Sequence, residues 1–301
     1  MPSLTLWNPK EKHLLLSLAE NAINYSYRYP EIEELRILGG ISSQRRASLE
    51  NLEKREISKD FVMGMGIAVI YRGGFGFSST AIIDSKSIQK TLLRALKLAK
   101  VSSKLSQIKY REKEIDNKRK MSSRTPKIVK SPDNIEDEEL LLTLEDSART
   151  LVERKSSKYR ISNISGEISF SSIYRFVINL NEELKERGEI IYNTLFSVTI
   201  KANGRLFEGE NTKTLIGGAE SISKYPPSEI ASSAFDEARE KIEAKHINTG
   251  NFDIVVDPEF AGVIAHESFG HLSEADSVIT GSSILSNEKN KKLGSDIVTI
   301  I

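Results

Sequence analysis

The 301-residue sequence contains no cysteine, which excludes disulfides and thiolate metal ligands within the chain. No apolar run approaches the roughly 18 residues that a membrane-spanning helix needs. The first residues lack a basic segment followed by an apolar core and a small-residue cleavage site, so no signal peptide is expected and a cytoplasmic location is. Neither sign of charge is in excess: 43 Lys and Arg face 42 Asp and Glu, a net charge of +1. That balance calls for neither nucleic acid nor a membrane surface. No segment recurs at a period of roughly 20–50 residues, which excludes a solenoid. Histidine is scarce as well, with four in the chain.

What is present is enough for a core. Apolar residues make up 39% and aromatics 7%, and the length exceeds that of one average domain. Helical spacing of Leu14, Leu15, Leu18, Ala22 and Ile23 predicts a helix after Asn8 and Pro9. Tyr25, Tyr27 and Tyr29 then alternate with polar residues and predict a short strand, and Gly39-Gly40 a turn. Phe61 to Tyr71 reads as a strand closed by a glycine-rich turn, with Gly64 and Gly66 on one face and Ile67, Val69 and Tyr71 on the other. A helix from Ser85, capped by Ser85 or Ser87, buries Ile88, Leu92, Ala95, Leu96 and Ala99. Another, from about Asp137 to Glu153, buries Leu140, Leu141, Leu144, Ala148 and Leu151.

From Tyr159 to Gly218 the period changes to two, predicting an antiparallel sheet with a tight turn at Asn203-Gly204. A further helix ends near His246, and NFDIVVDPE predicts a short strand. Helices and strands thus come in blocks without βαβ alternation, which makes the fold class α+β. Between Gln89 and Lys130, 14 Lys or Arg stand against three acids. With only Tyr110 interleaved as a stacking platform, this reads as a solvated helix face running into an exposed linker rather than a nucleic-acid interface.

Residues 262–278, GVIAHESFGHLSEADSV, hold two of the four histidines, five positions apart, with Glu267 directly after the first. Asp257 as N-cap and Pro258 at the first position predict a helix to about Glu274, with Phe260, Val263, Ile264 and Phe269 as apolar cover. In an ideal α-helix, residues five apart lie about 140° apart around the axis, so the imidazoles of His266 and His271 would not converge. A π turn or break at Gly270 would return His271 to the face of His266. Glu267 would then lie where a general base takes a proton from metal-bound water, and Glu274 and Asp276 could orient the imidazoles or ligate. Glu267 and His271 are equally an ordinary i,i+4 surface pair, and spacing alone leaves both readings open.

This segment resembles the signature of TldD-type subunits of the TldD/PmbA family, which carry His-Glu-x-x-x-His. DIVVDPEFAGVIAHE, GIAVIYRGGFGFSST and ANGRLFEGENTKT resemble further blocks of that family. The resemblance implies a zinc-type metallopeptidase acting on unfolded peptides or short protein segments, with His266 and His271 as metal ligands and Glu267 as the catalytic residue. It also implies a cytoplasmic protein paired with a paralogue lacking the histidine motif, or self-associated. The fold it implies is a mixed α/β N-terminal domain over 1–245, with a possible subdivision near 121–135, followed by a largely β C-terminal domain. Family members are longer and take a third ligand from a downstream cysteine; 246–301 is therefore expected to be the start of that domain, and the chain by itself to be poorly active. A peptide-binding or scaffold subunit without catalysis is the alternative.

Overall fold

The computed structural model describes residues 9–105 and 128–298, apart from 155, 182 and 246. Met1–Ala244 and Lys245–Ile301 form two compact units. The first opens with α1 (Pro9–Ser26), β1 (Glu34–Glu50), β2 (Lys54–Tyr71), β3 (Gly74–Thr80) and α2 (Ser85–Leu105). It continues with α3 (Asp137–Val152), β4 (Arg160–Asn179), β5 (Leu184–Ala202), β6 (Arg205–Ile216), α4 (Glu220–Lys224) and α5 (Pro227–Glu243). The strands form one antiparallel sheet in the order β3-β2-β1-β4-β5-β6. A helix, three strands and a helix therefore occur twice, and the two triplets meet where β1 pairs with β4, from Arg36↔Asn179 to Glu50↔Ser165. The α+β class expected from the sequence is the class observed.

One face of the sheet is largely apolar in its central strands. Leu35, Ile37, Ile41, Ala47 and Leu49 of β1 are buried, as are Ile164, Ile168, Phe170, Tyr174, Phe176 and Ile178 of β4. The two-residue period of a strand places each set on a single side. Against that side α1 and α2 close one buried cluster, and α3 and α5 close a second. The outermost strands approach their helices backbone to backbone. A Cβ built at Gly76 would fall 2.1 Å from the Ala95 carbonyl oxygen, and one at Gly209 would fall 2.1 Å from that of Ala234.

Several local expectations yield to tertiary packing. Gly39-Gly40 is no turn: β1 runs straight through it, and a Cβ at Gly39 would meet the Phe176 ring at 2.1 Å, so the glycine makes room for that buried aromatic. The chain turns instead at Asn51 and Leu52, where φ is 52° and 61°. Tyr25 lies in α1 rather than a strand, with its ring centroid 5.9 Å from that of Tyr29 across the helix end. Leu14 is exposed, and Ala19 takes its place in the buried stripe. The cap of α2 is Asp84, whose carboxylate accepts from the Ser87 N–H at 2.7 Å. The expected turn at Asn203-Gly204 is present, with φ of 51° and 74°.

On α2 the basic side chains Lys90, Arg94 and Lys97 are exposed, as a solvated face requires. Residues 106–127 of that basic region lie outside the described residues, as do Asn8 and the expected helix end at His246. Phe252 to Val255 form no strand and are exposed. The second unit supplies α6 (Pro258–Ala265) and α7 (Ala275–Thr280), separated by two irregular turns. Among the described residues, no helix is long and apolar enough to cross a membrane.

Candidate metal centre

The Asp257 carboxylate caps α6 by accepting from the Phe260 N–H at 2.7 Å, and Pro258 occupies the first turn, where its missing donor costs nothing. The helix does not continue as α to Glu274. A π turn spans His266–Gly270, closed by the His271 N–H donating to the carbonyl of His266, and a 3₁₀ turn spans His271–Ser273. The extra residue of the π turn rotates His271 back over His266. The two ring centroids stand 4.5 Å apart at 70°. His266, Glu267 and His271 each offer a donor atom, and these atoms lie within 4.8 Å of one another. The arrangement is that of the His-Glu-x-x-x-His metal-binding motifs of zinc metallopeptidases.

Gly270 is not what makes the π turn possible. Its φ is −54°, open to any residue, and an added Cβ would touch His266 Nδ1 at an ordinary 3.6 Å. Three serines instead satisfy carbonyls around the irregular turns. The Ser268 hydroxyl donates to the carbonyl of Ile264, that of Ser273 to Gly270, and that of Ser283 to Leu272. Hydroxyls of this kind compete with the backbone ladder and so favour departures from α geometry. Sequence reasoning overlooked them, although the run Ser268, Ser273, Ser283 was there to be read.

Glu274 is brought to the cluster by the second turn. His271 Nδ1 lies 2.9 Å from Glu274 Oε1. The His271 pKa is raised, chiefly by that hydrogen bond, then by the charge of Glu274, with a smaller push from Glu267. Asp276 is not drawn in: its carboxylate accepts from the Ser277 N–H at 2.9 Å. All three residues of the cluster are exposed, as are Phe260, Val263 and Ile264, which the sequence cast as cover.

Residues 249–301 match the PmbA/TldA metallopeptidase C-terminal domain. Over 260 residues the chain is 29% identical to a metalloprotease of Methanocaldococcus jannaschii, covering 84% of this chain and 54% of that protein. A metalloprotease of Methanothermobacter thermautotrophicus is 25% identical over 276 residues, covering 90% of this chain and 57% of that protein. The chain thus spans little more than half the length of these two relatives. Among solved structures, a proposed modulator of DNA gyrase from Bacteroides thetaiotaomicron shares the fold. Its TM-score is 0.72 at 15% identity, covering 93% of this chain and 62% of that one.

Proposed function

The chain is a homologue of the TldD/PmbA metalloproteases, and on that premise we propose that it is a metal-dependent peptidase subunit hydrolysing unfolded peptides or short protein segments. The observation that carries this is the convergence of His266, Glu267 and His271, with donor atoms within 4.8 Å of one another. Two donors on one tetrahedral zinc stand about 3.4 Å apart, a spacing that side-chain rotation reaches from here. Imidazole is also a donor that zinc accepts. The residues therefore fit a zinc ion, held by His266 and His271.

Bound there, the ion would supply Lewis acidity, making water a competent nucleophile near neutral pH and polarising a peptide carbonyl. Glu267 accepts the proton of the attacking water on its carboxylate and passes it to the departing amine. Reserving Glu267 for that proton leaves two imidazoles as protein ligands, against the three usual at catalytic zinc. The 301-residue chain alone is accordingly proposed to bind zinc exchangeably and to turn over slowly. A second copy or a paralogous subunit without the histidine motif, in the cytoplasm, would complete the assembly. The exposure of all three donors favours one alternative, a peptide-binding or scaffold subunit that does no chemistry.

Zinc titration tests the reading. Stoichiometric zinc is expected in the parent chain and in Glu267→Gln, and is expected to be lost in His266→Ala. Hydrolysis of an unfolded peptide, by the chain alone or with its partner, is expected to disappear in Glu267→Gln. Zinc binding indifferent to His266→Ala refutes the site, and hydrolysis that survives Glu267→Gln refutes the role of the carboxylate.

A further inference from the structure

The two irregular turns around the histidines align different pairs of side chains. A π turn brings residues five apart to one face, and this one pairs His266 with His271. In a 3₁₀ turn, residues three apart eclipse one another, and the turn that follows pairs His271 with Glu274. His271 belongs to both pairs: its ring centroid lies 4.5 Å from that of His266, and its Nδ1 lies 2.9 Å from the Glu274 carboxylate.

We propose that Glu274 is a positioning residue for His271: its carboxylate holds the imidazole by Nδ1 and leaves Nε2 bare for a divalent cation. An ionised carboxylate only accepts hydrogen bonds, so the nitrogen facing it carries the proton. A neutral imidazole has one N–H, and fixing it on Nδ1 makes Nε2 the ligand nitrogen. Glu274 is itself fixed from both sides. Its backbone leaves the helical region at φ −59° and ψ 128°, and its N–H reaches the His271 carbonyl at 3.5 Å. Its own carbonyl accepts from the Val278 N–H at 3.0 Å as α7 begins. The nearby Asp276 faces the Ser277 amide instead and has no such hold on the ring. This inference rests on the reading of His266 and His271 as ligands.

The experiment has two readouts on the whole chain. Long-range proton–nitrogen NMR of the metal-free protein at about pH 8.5, above the histidine range, reports which ring nitrogen of His271 is protonated. Nδ1–H is expected in the parent and in Glu274→Gln, whose amide oxygen still accepts, with a shift toward Nε2–H in Glu274→Ala. Zinc titration is expected to show about 10–100-fold weaker binding in Glu274→Ala and recovery of most of the loss in Glu274→Gln. If the parent binds zinc and Glu274→Ala matches it in affinity and ring pattern, the positioning role is overturned while the site stands. If the parent fails to bind zinc, or binds it independently of His266, the ligand reading falls and takes the proposed purpose of Glu274 with it.

Discussion

Removing Ser268 tests why the two imidazoles meet. In an uninterrupted α-helix, Cα atoms five residues apart differ by about 140° around the axis and 7.5 Å along it, a separation of about 9 Å with the rings on different sides. The observed ring centroids are 4.5 Å apart, a convergence that depends on the extra residue of the π turn. Deleting Ser268 takes out that residue together with the hydroxyl that covers the Ile264 carbonyl. A four-residue spacing remains, which a regular α-helix places about 40° and 6 Å apart. The shortened chain is expected to keep zinc affinity within about tenfold of the parent. An alanine inserted between Phe269 and Gly270 makes the spacing six, about 120° out of line and 9 Å along the axis. It is expected to weaken zinc at least about 100-fold, or roughly 2.7 kcal/mol. Competitive titration against a zinc indicator measures both. Loss of zinc on deletion together with full affinity on insertion would refute the helical geometry argued here.

Two further expectations concern the first unit. Gly209→Ala would drive a Cβ to within 2.4 Å of the Ala238 nitrogen as well as the Ala234 carbonyl oxygen. Overpacking of this kind costs about 1–3 kcal/mol and lowers Tm by about 2–4 °C per kcal/mol. An unchanged melting curve would show that β6 and α5 are not in backbone contact. The second expectation is alkaline. Burial pushes the Tyr192 phenol up to about 12 and raises Tyr174 too, the latter aided by its hydrogen bond to Glu186. Since both native pKa values exceed the unfolded value near 10, the stability they contribute is complete below about pH 10. It is lost as pH rises through the native values. Phenolate absorbance should show Tyr174 and Tyr192 still protected in the native chain at pH 11, a protection lost in urea and reduced in Tyr192→Phe; ionisation of all tyrosines near pH 10 in native protein would contradict this.

The sequence carried the regular elements well where burial follows one period. The stripe Ile88, Leu92, Ala95, Leu96 and Ala99 is buried as its spacing requires. It failed where the deciding contact is remote. Gly39-Gly40 has the local signature of a turn, yet Phe176, far along the chain, needs the space above Gly39. The alternation of Tyr25, Tyr27 and Tyr29 suggested a strand, but α1 runs on to Ser26. At the candidate centre the residue identities were legible, and so was the π turn that brings His266 and His271 together. What holds that turn was not: Gly270 is dispensable to it, and the carbonyls around the π and 3₁₀ turns are satisfied by hydroxyls whose partners appear only in three dimensions.

The seam between β1 and β4 has a consequence for how the first unit holds together. Each half supplies its own helices, but the halves exchange side chains across the seam. Ala47 and Leu49 of β1 are buried with α3 and α5, while Tyr174, Phe176 and Ile178 of β4 are buried with α1 and α2. A polypeptide severed between α2 and α3 would therefore yield two fragments, each missing part of its own interior and each carrying the part its mate lacks. Such fragments are built to recombine, and neither is built to persist alone.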